Sequence, residues 1–292
     1  MTGDAGLYEH AGPLGPFWHL DEGLTFFAGP LDYNASHQHG APVYLAGIHG
    51  PFGLRIGGSA WTTCRTAVIP AGVPHELDIG GNPLAVFYVE PHLAGTGALV
   101  PLVRNAREVD GALVGTAGEI SLMRELYEDP ASPGWAGPAL ADLMGHGLRR
   151  AARAIDPRIA RAVAALQAGQ DGPMPVDRLA GAVGLSPSRF QHLFTEQVGV
   201  PFRRYRAWVR MRAAIREIVG GANFTGAAHA AGFADQPHFA HDFRRTFGAP
   251  ASRSLTGVRG RGAGIPGAGR VPPGKDGPRT PYAGLSRGVH GR

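Results

Sequence analysis

Two stretches in the last third of this 292-residue chain repeat one design, and a chain with that repeat has few folds open to it. In residues 176–199, VDRLAGAVGLSPSRFQHLFTEQVG, the apolar Val176, Leu179 and Val183 share one helical face. Gly184 permits a sharp turn and Leu185 can plug the space behind it. Ser186 is a good N-cap, and Pro187 suits the first helical position, where its missing N–H costs nothing. Phe190, Leu193, Phe194 and Val198 then recur at helical steps and should point inward, which leaves Ser188, Arg189, Gln191, His192 and Thr195 facing out. Residues 225–248, TGAAHAAGFADQPHFAHDFRRTFG, do the same. Ala227, Ala228 and Ala231 allow close packing, Gly232 turns, Phe233 plugs and Asp235 caps. Phe239, Phe243 and Phe247 bury, and Gln236, His238, His241, Arg244 and Arg245 stay outside. A short capped helix with an outward face of hydrogen-bonding groups suits the DNA major groove.

Residues 201–219 read as one amphipathic helix between the repeats, with Phe202, Tyr205, Trp208, Val209, Ile215 and Ile218 as its apolar face. At 1.5 Å per residue it spans about 28 Å. That approaches the roughly 34 Å between successive major grooves on one side of a duplex, so one chain could reach two of them. One helix-turn-helix pattern is a weak signal, since many helical corners look alike. Two at a fixed offset, joined by a helix of suitable length, are a strong one.

Residues 156–250 closely resemble the DNA-binding domain of AraC/XylS-type regulators. The resemblance lies in LAGAVGLSPSRFQHLF, in YRAWVRMRAA on the linking helix, and above all in AAGFADQPHFAHDFRRTFG. It implies that Ser188, Gln191 and His192 face bases in one groove and Gln236, His238 and His241 in the next. Arg189, Thr195, Arg244 and Arg245 are then expected at phosphates, where position rather than sequence is decided. The family's G-x-x-P-S ending is one residue short here (GAPAS), which puts the final helix in question. The resemblance also implies an activator, with double-stranded DNA as partner. Free imidazole titrates near 6.5, so His192, His238 and His241 predict tighter DNA binding below neutral pH.

Charge supports this division. Residues 1–155 hold 8 basic against 15 acidic side chains, residues 156–256 hold 13 against 7, and residues 257–292 hold 7 against 1. Only the back of the chain is thus built for a polyanion. Arginine supplies every cation except Lys275, a bias that composition alone can produce.

The front reads differently. Residues 24–28, 43–48, 52–56, 66–69, 76–79 and 84–89 are candidate strands separated by Gly, Pro and Asn turns, a spacing that predicts a sandwich or barrel. His37-Gln38-His39 and the later PAGVPHEL around His75 resemble the two halves of the cupin motif, which implies an effector-binding β-barrel. His37, His39 and His75 are the candidate effector-pocket residues and could ligate Zn, Cu, Fe or Ni. The carboxylate that a full cupin site wants is replaced by Val43-Tyr44, and the three histidines could equally hydrogen-bond in the pocket or tie strands together. No cofactor is fixed by the sequence; a divalent metal in the barrel is the candidate. Trp61, Phe87 and Tyr88 suit either a pocket wall or the core, and His49 a loop.

The expected architecture is therefore α+β and multidomain: a cupin-like β-barrel sensor over residues 1–116 and connecting helices over 117–155, followed by an all-α DNA-binding domain with two helix-turn-helix units over 156–256. A disordered basic tail, rich in Gly and Pro, should cover 257–292, and residues 1–16 a loose arm. Helical stripes at 119–127 and 140–148 flank the breaker-rich 130–138; one should pack on the β domain and the other meet a second copy in a homodimer. No run approaches the roughly 18 apolar residues of a membrane helix, so no membrane partner is expected. Cys64 is the sole cysteine, which fits a reducing compartment and a cytoplasmic location. The function expected is a sequence-specific transcription regulator controlled by a small-molecule effector, and no enzyme. A metal-dependent cupin enzyme fused to a DNA-binding module is the alternative.

Overall fold

The computed structural model describes residues 14–168 and 175–259. Eleven strands among them form two antiparallel sheets. The larger has seven strands: β1 (Phe17–Leu20), β2 (Leu24–Pro30), β4 (Val43–Gly47), β7 (Thr66–Ile69), β9 (Pro83–Val89), β10 (Val103–Val109) and β11 (Ala112–Gly118), in the order β1-β2-β9-β4-β7-β11-β10. The smaller, ordered β3-β8-β5-β6, holds β3 (Tyr33–His37), β5 (Phe52–Ile56), β6 (Thr62–Cys64) and β8 (His75–Asp78). Among the described residues no ladder closes them, so the expected barrel is an open pair of sheets.

Adjacent side chains on the central strands go to opposite faces. Phe27, Leu45, Val86 and Tyr88 enter the core between the sheets, whereas Phe26, Tyr44 and Phe87 enter a second core on the outer face of the large sheet. Both faces are buried, which is why these strands read as continuous apolar runs rather than alternating ones. The outer core is closed by α1 (Ser121–Glu128) and α2 (Ala136–Ala151) through Met123, Leu126, Leu140 and Met144. Both stripes therefore pack on the chain's own sheet.

The helical unit comprises α3 (Pro157–Ala168), α4 (Val176–Ala182), α5 (Pro187–Val198), α6 (Phe202–Val219), α7 (Phe224–Ala230), α8 (Gln236–Phe247) and α9 (Ala251–Leu255). The short GAPAS ending still yields α9, with Pro250 at its N-cap. Helices α3 to α5 and the start of α6 have their own core, with Ile159, Leu179, Phe190, Phe194, Phe202 and Tyr205. The rest of α6 with α7 to α9 does not. Trp208, Phe239, Phe243 and Phe247 belong to the same core as Trp18, Phe27 and Tyr88 between the sheets. The second helix-turn-helix unit is thus fused to the β unit, while the first is a satellite.

Buried polar groups pin this junction. Arg212, on the inner face of α6, ion-pairs with Glu90 just past β9 at 2.8 Å and donates to Thr25 Oγ1 at 2.8 Å. Trp208 Nε1 also donates to Glu90, at 2.8 Å. Burial alone would raise the Glu90 carboxyl; hydrogen bonding to His92, the Arg212 charge and the Trp208 bond outweigh it and hold it below the usual carboxylate range. Elsewhere Trp18 Nε1 donates to the Ser254 carbonyl at 2.7 Å.

The described chain also runs past the expected domain end. Arg259 N–H donates to the Pro16 carbonyl at 2.7 Å, Trp18 N–H donates to the Arg259 carbonyl at 2.9 Å, and the Arg259 guanidinium meets the Tyr127 carbonyl at 2.6 Å, where α1 ends. A cation is favoured at a helix C-terminus, so residues 257–259 dock instead of joining a disordered tail. Residues 260–292 and 1–13, the remainder of the expected tail and arm, lie outside the described residues.

Candidate nucleic-acid interface and histidine cluster

Helices α5 and α8 are each built by local chemistry. Gly184 turns with φ +70°, a conformation that favours glycine. Ser186 Oγ then accepts from Arg189 N–H at 3.3 Å, Pro187 opens α5, and Gly199 closes it at φ +84°. Phe190, Leu193, Phe194 and Val198 are buried; Ser188, Arg189, Gln191, His192 and Thr195 are exposed on the other side. Thr195 Oγ1 donates back to the Gln191 carbonyl at 2.9 Å, so its hydroxyl offers lone pairs outward.

The second unit follows the same plan. Asn223 caps α7 by accepting from Gly226 N–H at 2.7 Å, and Asp235 caps α8 by accepting from His238 N–H at 2.7 Å. Gln236, His241, Arg244 and Arg245 are exposed. His238 is not free in the same way. Its half-buried ring stands edge-on to Phe233 with centroids 5.4 Å apart, and Nε2 lies 3.5 Å from Asp242. The Thr225 hydroxyl donates to Gln236 Oε1 at 2.9 Å, tying one candidate reader to the preceding helix. Asp242, which also ion-pairs with Arg210 at 2.8 Å, had no role in the sequence reading. Its place three residues after Phe239 was the available signal.

The three histidines of the front meet beneath α8. His37 closes β3, His75 opens β8 and the two are paired across the ladder, with ring centroids 4.2 Å apart. The His39 ring lies 4.8 Å from His37 and 5.0 Å from His75. His37 Nδ1 and His75 Nδ1 sit 2.7 and 2.9 Å from the carbonyls of Ala35 and Val73. A carbonyl can only accept, so each Nδ1 carries the proton and each Nε2 a lone pair. Burial pushes His37 down to about 3, with repulsion from His75 adding to it, and burial pushes His75 down to about 4. His39 falls well below its ordinary value for the same first reason. All three are neutral near pH 7, the form in which imidazole ligates metals.

One potential ligand nitrogen per ring lies within 4.8 Å of the others, and the cluster contains no carboxylate or thiolate. His75 Nε2 is buried without a hydrogen-bond partner. Three neutral nitrogens fit a borderline transition metal better than Mg²⁺ or Ca²⁺, which take oxygen. A cavity of about 40 Å3 adjoins the cluster, lined among others by His37, His39, Tyr88, Phe243 and Phe247. Tyr88 thus has a wall position, Phe87 is core, Trp61 is exposed, and His49 sits in a turn and pairs with Glu128 at 2.9 Å. Val43 and Tyr44, where the cupin carboxylate was wanted, are both buried in β4.

Residues 179–256 match the family model described as a helix-turn-helix domain. Among solved structures, the fold is similar to ToxT from Vibrio cholerae with an unsaturated fatty acid bound: 14% identity, TM-score 0.55, covering 82% of this chain and 98% of that one. ToxT bound to a methylnaphthalenyl butenoic acid gives 11% identity and TM-score 0.52, covering 81% and 99%. An AraC-type regulator from Chromobacterium violaceum is 24% identical over 34% of this chain and 95% of its own, at TM-score 0.31. No curated protein sequence matches. Residues 179–256 thus form a helix-turn-helix domain, set behind a β-rich domain in a two-domain fold similar to that of ToxT.

Proposed function

We propose that the chain is a sequence-specific DNA-binding transcription activator, acting in the cytoplasm, whose β-rich domain controls the reader through a small ligand. The observation that carries this reading is the pair of capped helices, α5 and α8, presenting polar faces on either side of one 18-residue helix. At 1.5 Å per residue α6 is about 27 Å long, close to the spacing of successive major grooves. Ser188, Gln191 and His192 read bases in one groove, and Gln236, His238 and His241 in the next. Arg189, Thr195, Arg244 and Arg245 hold phosphates. His238 has the weakest geometric support of the set, because Phe233 and Asp242 already engage it.

The effector site is the histidine cluster with its adjoining cavity. ToxT holds an unsaturated fatty acid, but a space of about 40 Å3 takes only a few water-sized groups and favours a compact ligand here. No helix among the described residues is long and apolar enough to cross a membrane. Selection of duplex sites from a random pool by the purified chain tests the reading. One recurrent site should emerge, and Gln191→Ala combined with His241→Ala should erase the preference over random competitor. A wild-type chain with no preference, or a double variant that keeps it, refutes the proposal.

A further inference from the structure

We propose that His37, His39 and His75 together bind one divalent transition-metal ion, and that this ion sets the seating of α8. The second half rests on the reading of α8 as a DNA-recognition helix; the first half stands on the cluster alone.

The cluster is expensive as mere packing. Buried polar atoms are normally satisfied, yet His75 Nε2 has no partner in the interior. Two of the rings are fixed from outside, since the Ala35 and Val73 carbonyls take the Nδ1 protons and hold each Nε2 in its ligating form. A second group that orients the imidazole is the usual companion of a metal-bound histidine. Tetrahedral zinc with bonds of about 2.0–2.1 Å needs nitrogens about 3.3 Å apart. The present separations reach 4.8 Å. Binding therefore requires the rings to close on one another by up to about 1.5 Å, a matter of small side-chain rotations.

That closure cannot stay local. Ala35 N–H donates to the Gly248 carbonyl at 3.0 Å, and Asn34 Nδ2 donates to the Phe247 carbonyl at 2.8 Å, so β3 is stitched to the C-terminal end of α8. Gly248 ends α8 at φ +74° and lies so near the cluster that a Cβ there would stand 2.6 Å from His37 Nδ1. The Phe247 ring lies 5.7 Å from that of His39. Drawing His37 and His39 inward thus moves groups in direct contact with the last turn of α8. Coupling of this kind is reciprocal, so specific DNA should alter metal affinity by the factor by which metal alters DNA affinity.

The test uses the full chain without an affinity tag, stripped with chelator and titrated with ZnCl2 or CoCl2. The expected result is one ion per chain and slower hydrogen exchange across the end of α8. Affinity for the selected duplex should change by at least about fivefold. His75→Gln should abolish all three effects. Should that variant fail to fold, His75→Cys still decides the matter, because a thiolate in the site must add a sulfur-to-cobalt charge-transfer band. Failure to bind either ion at micromolar concentration overturns the proposal, as does a cobalt-loaded His75→Cys chain without that band. Stoichiometric binding with unchanged exchange in α8 overturns the coupling. A chain that loads metal and protects α8 but prefers no DNA sequence upholds the metal site and its coupling, and sinks the regulator reading instead.

Discussion

Consider the substitution Glu90→Gln. Glu90 is 1% exposed and Arg212 5%, so the pair that joins the β unit to α6 is desolvated on both sides. The glutamine keeps the shape of the side chain and can still accept one hydrogen bond from Trp208 Nε1 or Arg212, but the negative charge is gone. What remains is a buried guanidinium facing neutral acceptors only, the Thr25 hydroxyl at 2.8 Å and the carbonyls of Asp21 and Leu24. Stranding one member of a buried ion pair costs about 3–5 kcal/mol. Three surviving acceptors argue for the lower end, about 3 kcal/mol, or roughly two powers of ten in the unfolding equilibrium constant. For a chain of this size that corresponds to a fall in Tm of about 6–12 °C. Equilibrium unfolding in urea, followed by tryptophan fluorescence, reads the change, because Trp18 and Trp208 both lie at this junction. Arg212→Met combined with Glu90→Leu should recover most of the loss, since a well-packed apolar pair replaces a buried ionic one at little cost. A single-variant loss below about 1 kcal/mol would refute the claim that this pair anchors the reader to the β unit.

Other outcomes follow from the same geometry. Arg244→Ala or Arg245→Ala should weaken binding to selected and random duplexes alike and lower the salt dependence by about one ion each, measured by titration at several salt concentrations. Gln191→Ala should instead cost about 1–3 kcal/mol on the selected site and little on random sequence, measured by competition. The lowered Glu90 carboxyl gives an acid limb of stability: its contribution is complete above the ordinary carboxylate range and is lost as pH falls through the lower native value. Wild-type unfolding free energy should therefore drop below about pH 4.5, and the drop should be smaller in Glu90→Gln.

The helix-turn-helix units were legible because every signal in them is local. Gly184, Ser186, Asp235 and Gly232 act on residues within one turn, and the apolar period does the rest. Strands β2, β4, β5, β7, β8 and β9 were legible as apolar runs. Among the missed strands, β10 is exposed along most of its length and β11 (ALVGTAG) is rich in small residues, whereas β1 (FWHL) is apolar but only four residues long. Whether the sheets close depends on ladders between distant segments, which periodicity does not encode. Glu90 and Arg212 stand 122 positions apart and only the fold unites them; the one hint was a charged residue on the apolar face of the linking helix. His238 shows the limit from the other side. Helical period alone puts it outward, but Phe233 and Asp242 gather it in.

The proposed DNA recognition turns on one chain engaging two successive major grooves through α5 and α8. The most direct measurement inserts five base pairs between the two halves of the selected site and compares affinities at fixed salt. Half a helical turn places the second groove on the far side of the duplex, where an 18-residue α6 cannot carry its partner helix. Affinity should fall to that of a single half-site, and a further five base pairs should not restore it fully. Undiminished binding after the first insertion would contradict the paired-reader geometry.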